Sequence, residues 1–166
     1  MTAYSDMSDN KRLLQYIAMI CNTDIMASPE IVISKLMFNP TTLRLLGNVL
    51  YDSLATYFGR IDSIGAITAV NMPMATSISM VSSDFTNELP YFFVEQSVTG
   101  VCYGNVVLVT SIISALSPLR TAIDTLKDYG CNVTGVLGVL GMCDCDFGNL
   151  PVYAVYSLDE LRSAVN

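Results

Sequence analysis

From Ile64 onward, short apolar runs alternate with helix-start signals, and that alternation admits few architectures. Ile64–Val70 reads as a buried parallel strand and Pro73–Val81 as the helix after it. Pro90 precedes a second strand, Tyr91–Val94, and Val106–Val109 is a third. Ser117-Pro118 opens a helix with Leu119, Ile123 and Leu126 on one face, which Gly130 ends. Val133–Leu140 is a fourth strand, weakened by Gly135 and Gly138, and Val152–Val155 a fifth. Ser157-Leu158-Asp159-Glu160 is a capping box that starts the last helix. Strands joined through helices predict an α/β fold with a mostly parallel, five-stranded sheet flanked by helices. Ligands of such sheets bind beyond the carboxyl ends of the strands. The loops after Ile67, Phe93, Val109 and Leu140 are therefore the candidate site.

The N-terminal part is built differently. Ser8 and Asp9 can cap a helix carrying Leu13, Leu14, Ile17, Ala18 and Cys21 at helical spacing. Ile31–Phe38, with β-branched residues at 31, 32 and 33, reads as a strand. Asn39-Pro40 starts a helix with the stripe Leu43, Leu46, Leu50 and Leu54, and Gly59 stops it. At 166 residues the chain suits one domain over 1–166, with about the first nine residues as a flexible N-terminus.

Composition removes whole classes of function. Hydrophobic residues make up 52% and charged ones 14%, the opposite of a disordered chain. A net charge of −7 argues against a nucleic-acid partner. There is no His, so Ser-His and Cys-His catalysis and His metal sites are excluded. The five Cys show no regular spacing, and the polar start carries Asp6 and Asp9, so a cytoplasmic protein is expected. Two uncharged stretches, 63–83 and 96–119, are broken by Asn, Ser, Thr, Gly and Pro, and no membrane span is expected.

Three stretches and the ending carry a resemblance over nearly the whole chain. They are Phe38-Asn39-Pro40 with Leu45-Leu46-Gly47, then 71–76, then 106–115, and last 152–161. In order and spacing they resemble a type I phosphoribosyltransferase, and among these an orotate phosphoribosyltransferase. The resemblance implies that the N-terminal helix and the strand over 31–38 form a reduced hood, and that phosphoribosyl pyrophosphate and Mg²⁺ bind at a strand end, where two adjacent Asp and then a hydroxyl- and glycine-rich phosphate loop are expected. Here the acidic pair falls on Thr110 and Ser111, which carry no charge. The phosphate loop keeps Ser114, Ala115 and Ser117, but its glycine falls on Leu116. The pyrophosphate loop's basic residue and glycine fall on Val70 and Asn71. A basic pair expected after the Leu-Pro-Tyr strand is Glu95 and Gln96. The long basic loop that should follow is reduced to seven uncharged residues between Gln96 and Gly104.

Charge position makes the same point without any family. Between Ile61 and Leu119 there is no Lys or Arg, while Asp62, Asp84, Glu88 and Glu95 are acidic. Each missing charge-assisted contact to a pyrophosphate forgoes about 1.5–3 kcal/mol. The leading expectation is therefore a non-catalytic protein on this scaffold. It would be structural, regulatory or partner-binding, a homodimer or larger homo-oligomer, with a possible partner of basic surface. No catalytic residue and no cofactor is expected, Mg²⁺ entering only with residual activity. The alternatives are an orotate phosphoribosyltransferase-like enzyme and a nucleotide or nucleoside sensor. Thr110, Ser111, Ser114, Ala115 and Ser117 would then line a vestigial ligand crevice, with Val70 and Asn71 a vestigial pyrophosphate loop.

Two smaller groups have simpler readings. Cys143-Asp144-Cys145-Asp146 could offer ligands to a metal, but without a second pair it reads as a polar loop, and no metal site is expected. Cys21, Cys102 and Cys131 read as small core residues. Tyr51, Tyr57 and Phe58 could mark a subunit interface, although core packing explains most aromatic residues.

Overall fold

Helix-start chemistry places the first elements. In the computed structural model, which describes residues 8–20, 28–113, 116–142 and 148–165, α1 spans Asp9–Ile20 and α2 spans Pro29–Met37. α3 runs over Pro40–Tyr57 behind Asn39, whose side chain accepts from the Thr41 and Thr42 amides at 3.0 and 3.3 Å. Replacing Asn39 by alanine is expected to cost about 0.5–2 kcal/mol, read as a lower urea midpoint at constant slope.

The segment 31–38 is not the strand that its β-branched run predicts. Pro29 takes the first turn of α2, and the buried positions are Val32, Ile33, Leu36 and Met37. That spacing belongs to a helix packed on one side, and tertiary burial overrides the weak β-preference of single residues.

The sheet follows the predicted alternation and adds one strand. Its members are β1 (Ser63–Ile67), β2 (Tyr91–Val94), β3 (Val98–Gly100), β4 (Asn105–Ile113), β5 (Asn132–Gly141) and β6 (Val152–Ser157). Their spatial order is β3-β2-β1-β4-β5-β6, so the sheet has six strands rather than five. β3 pairs antiparallel with β2, and every other pair is parallel. A short turn at Ala69–Asn71 leads from β1 to α4 (Met72–Ser82). α5 (Leu116–Asp128) joins β4 to β5, and α6 (Leu158–Val165) follows β6. The Ser157–Glu160 capping box forms as expected, with both the Ser157 amide and hydroxyl donating to the Glu160 carboxylate, which holds Glu160 below the usual carboxylate range.

Period-2 alternation assigns the two faces of the sheet. Val107 and Val109 join the core shared with α1 to α4 and α6, while Val106 and Leu108 join the one under α5. Gly47 lets α3 and α4 touch, because a Cβ there would stand 2.1 Å from the Ser77 hydroxyl oxygen. That hydroxyl donates to the Leu43 carbonyl at 2.8 Å. The Tyr156 hydroxyl donates to Asn10 and ties the end of β6 to α1, and burial pushes its pKa well above the usual tyrosine value. No described helix is long and apolar enough to cross a membrane.

Candidate functional site

The carboxyl ends of β1 and β4 lie side by side, and the chain leaves β1 through a strained residue. Thr68 has φ +70°, the left-handed region that a threonine enters at a cost of about 1–3 kcal/mol. Its amide donates to the Val94 carbonyl at 3.1 Å, and its carbonyl accepts from the Asn71 amide at 3.2 Å. These bonds hold the turn at Ala69–Asn71 against the sheet. The next amide, that of Ala69, donates to the Glu95 carboxylate at 3.0 Å. A backbone N–H at the head of this turn, a group suited to an anionic ligand, is thus satisfied by an anion of the chain itself.

Asn71 is 5% exposed and works as a clip. Its Nδ2 donates to the Ile67 carbonyl and, at 3.4 Å, to the Thr68 hydroxyl. Its Oδ1 accepts from the Ser111 amide at 2.9 Å. Across the gap, the Thr110 hydroxyl donates to the Ile112 carbonyl at 3.2 Å. The result is a crevice of about 230 Å³ whose polar lining includes Thr68, Asn71, Thr110, Ser111 and Glu30. Its apolar lining includes Ile67, Leu119 and Val136. Glu30 comes from the first turn of α2 and accepts from the Ser28 hydroxyl at 3.3 Å.

Of the residues expected here, Asn71, Thr110 and Ser111 come together in this crevice. Val70 does not belong with them, being 63% exposed and absent from the lining. Ser114 and Ala115 lie outside the described residues, as does the side chain of Ser117, although Pro118 beside it lines the crevice. Glu30 and Thr68 went unseen in the sequence. Glu30 stands just before the segment read as a strand, and nothing local marks Thr68 as a left-handed residue. Glu95 stood out only as a charge in the wrong place.

The chemistry of this set is neutral to acidic. Glu30 supplies a carboxylate, the other polar liners are hydroxyls and an amide, and no Lys or Arg lines the crevice among the described residues. The Mg²⁺ of a phosphoribosyl transfer is held by carboxylates together with substrate phosphates. The two adjacent strand-end positions offer hydroxyls, and Glu30 approaches from a separate helix, so the described residues do not fit that ion. No group of three metal-ligating side chains occurs among the described residues, and Cys143–Asp146 lies outside them.

The aromatic trio divides. Phe58 is buried, its ring filling the space where a Cβ of Gly135 would stand. Tyr51 stacks on Phe85 at 5.0 Å and Tyr57 on Tyr153 at 3.8 Å. Burial and the neighbouring Tyr57 push the Tyr153 hydroxyl up to about 12.

A parallel sheet with one antiparallel edge strand, helices on both faces and a crevice at the ends of its central strands defines an open-sheet α/β architecture. It is the type I phosphoribosyltransferase fold, in the form found in orotate phosphoribosyltransferases. The orotate phosphoribosyltransferase of Mycobacterium tuberculosis H37Rv, solved with phosphoribosyl pyrophosphate, superposes with a TM-score of 0.74 at 17% identity, covering 93% of this chain and 99% of that one. A phosphoribosyltransferase from Corynebacterium diphtheriae gives 0.72 at 18% identity, covering 93% and 99%. The UMP synthase of Leishmania donovani gives 0.63 at 20% identity, and here 80% of this chain spans 30% of that one. No protein-family model and no curated protein matches the sequence.

Proposed function

We propose that this chain is a non-catalytic protein on the phosphoribosyltransferase fold, acting as a structural, regulatory or partner-binding module that assembles with itself. The observation that carries this reading is the charge at the strand ends. Glu30 lines the crevice, Glu95 takes the Ala69 amide, and no Lys or Arg stands between 61 and 119. A pyrophosphate entering there meets anions and gains no cation, and each absent charge-assisted contact forgoes about 1.5–3 kcal/mol. Thr110 and Ser111 cannot supply the negative charge that would steady a developing ribose cation. With Mg²⁺, orotate and phosphoribosyl pyrophosphate, orotate absorbance is expected to stay constant. Enzyme-dependent loss of orotate would overturn the reading and restore an orotate phosphoribosyltransferase. Size exclusion is expected to give a dimer or larger. Any hetero-partner would present a basic surface to the acidic face, with nucleic acid and membrane not involved.

A second reading, an uncharged-nucleoside sensor, draws on the crevice itself. At about 230 Å³ it is smaller than a typical ligand pocket of about 300–1,000 Å³, and beside the Glu30 carboxylate it offers hydroxyls and an amide but no cation among the described residues. A nucleoside at 100 times its Kd would add about 2.7 kcal/mol and raise Tm by about 5–10 °C. A flat thermal shift across nucleosides would remove this reading.

A further inference from the structure

Two cysteines that sequence separates by 29 positions meet at the other edge of the sheet. Cys102 lies in the turn from β3 to β4, and Cys131 immediately precedes β5. Their sulfurs are 2.9 Å apart, and both thiols are free. The two turns are already joined by hydrogen bonds just past the pair. The Asn132 amide donates to the Gly104 carbonyl at 2.9 Å, and the Asn132 side chain donates to Asn105 Oδ1 at 2.9 Å. The Cys131 amide donates back to the Leu126 carbonyl at 3.0 Å, so its backbone is held by the end of α5. Cys131 is buried, and Cys102 is partly exposed.

We propose that Cys102 and Cys131 form a disulfide when the protein meets a low-molecular-weight disulfide such as oxidised glutathione. Cys102, the more accessible thiol, loses its proton and attacks one sulfur of the oxidant, releasing one molecule of the reduced thiol and leaving a mixed disulfide. The Cys131 sulfur then attacks Cys102 Sγ, and the second molecule of reduced thiol leaves. Two protein thiols are oxidised, one small disulfide is reduced to two thiols, and the two protons end on those thiols. Desolvation, with Cys131 alongside, pushes the Cys102 thiol up to about 12, so the first step accelerates as pH rises from 7 to 9. The bond staples the amino ends of β4 and β5, the edge opposite the crevice, and therefore changes stability without touching Asn71, Thr110 or Ser111.

The test treats the full chain with oxidised glutathione at pH 8.5, then denatures and alkylates it. Intact mass is expected to show loss of two hydrogens and two fewer alkylatable thiols, with Tm raised by about 4–12 °C. A digest is expected to contain Cys102 linked to Cys131. C102S, which replaces a partly exposed residue and should leave the fold intact, is expected to abolish that link and the Tm gain, while C143S and C145S keep both. A linked peptide that joins other cysteines, or a Tm gain that survives in C102S, would overturn the proposal. So would glutathione remaining as a stable adduct on Cys102.

Discussion

Replacing Phe92 by alanine is expected to lower stability by about 3–5 kcal/mol, a large share of the 5–15 kcal/mol typical of a domain. Phe92 is fully buried at the centre of β2, and the register sets it opposite Gly65 of β1, which in turn faces Leu108 of β4. The Phe92 ring occupies the space that a side chain at 65 would need, since a Cβ there would lie 2.5 Å from Phe92 Cζ and 2.7 Å from Leu108 Cδ2. Gly65→Ala is therefore expected to cost about 1–3 kcal/mol through overpacking. The two sites should couple. Combined with Phe92→Leu, which shortens the side chain over the glycine, Gly65→Ala is expected to cost about 0.5–3 kcal/mol less than it does alone. Urea unfolding of the four proteins, with unchanged slopes, measures this. Additive costs would mean that the ring and the glycine do not share one space.

That arrangement shows how far sequence reasoning reaches. The run at 64–70 announces a buried strand, and the alternation of strands and helices gives the parallel order, because both signals are local and periodic. That Gly65 is a seat for an aromatic ring is a fact of register, set by pairing with a strand 27 positions away. The same limit explains the missed β3. Val98-Thr99-Gly100 is too short to show a period, and it becomes a strand only because β2 has a free edge beside it. At α2, three consecutive β-branched residues predict a strand, whereas Pro29 takes the first turn of a helix and burial at 32, 33, 36 and 37 has helical spacing. The crevice divides likewise. Thr110, Ser111 and Asn71 were legible as strand-end residues, since the fold dictates where its loops fall. Glu30 arrives from a distant helix, and the Glu95 bond to Ala69 depends on the conformation of a three-residue turn.

Asn71 carries the second large expected effect, because it continues a ladder that β1 abandons. β1 ends at Ile67 while β4 runs on to Ile113, so on the β1 side the Ser111 amide has no strand to pair with and takes the Asn71 side chain instead. Asn71→Ala leaves that amide and the Ile67 carbonyl without their partners. At about 1–3 kcal/mol per unsatisfied group, with some water reaching the half-buried Ser111, the expected loss is about 2–4 kcal/mol. Asn71→Asp separates the two contacts. A carboxylate can still accept from Ser111, but it can no longer donate to Ile67 and would lie buried against that carbonyl oxygen. Burial and the facing oxygen raise its pKa in the folded state above the unfolded value of about 3.9. Folding then favours the protonated form, so stability is retained below the unfolded pKa and falls as pH rises through the folded one. Relative to the native protein, Asn71→Asp is expected to be nearly as stable at pH 4 and to match or exceed the loss of Asn71→Ala at pH 7.5. A deficit that does not change with pH would show that the side chain at 71 faces water, and that the crevice wall is held by the turn alone.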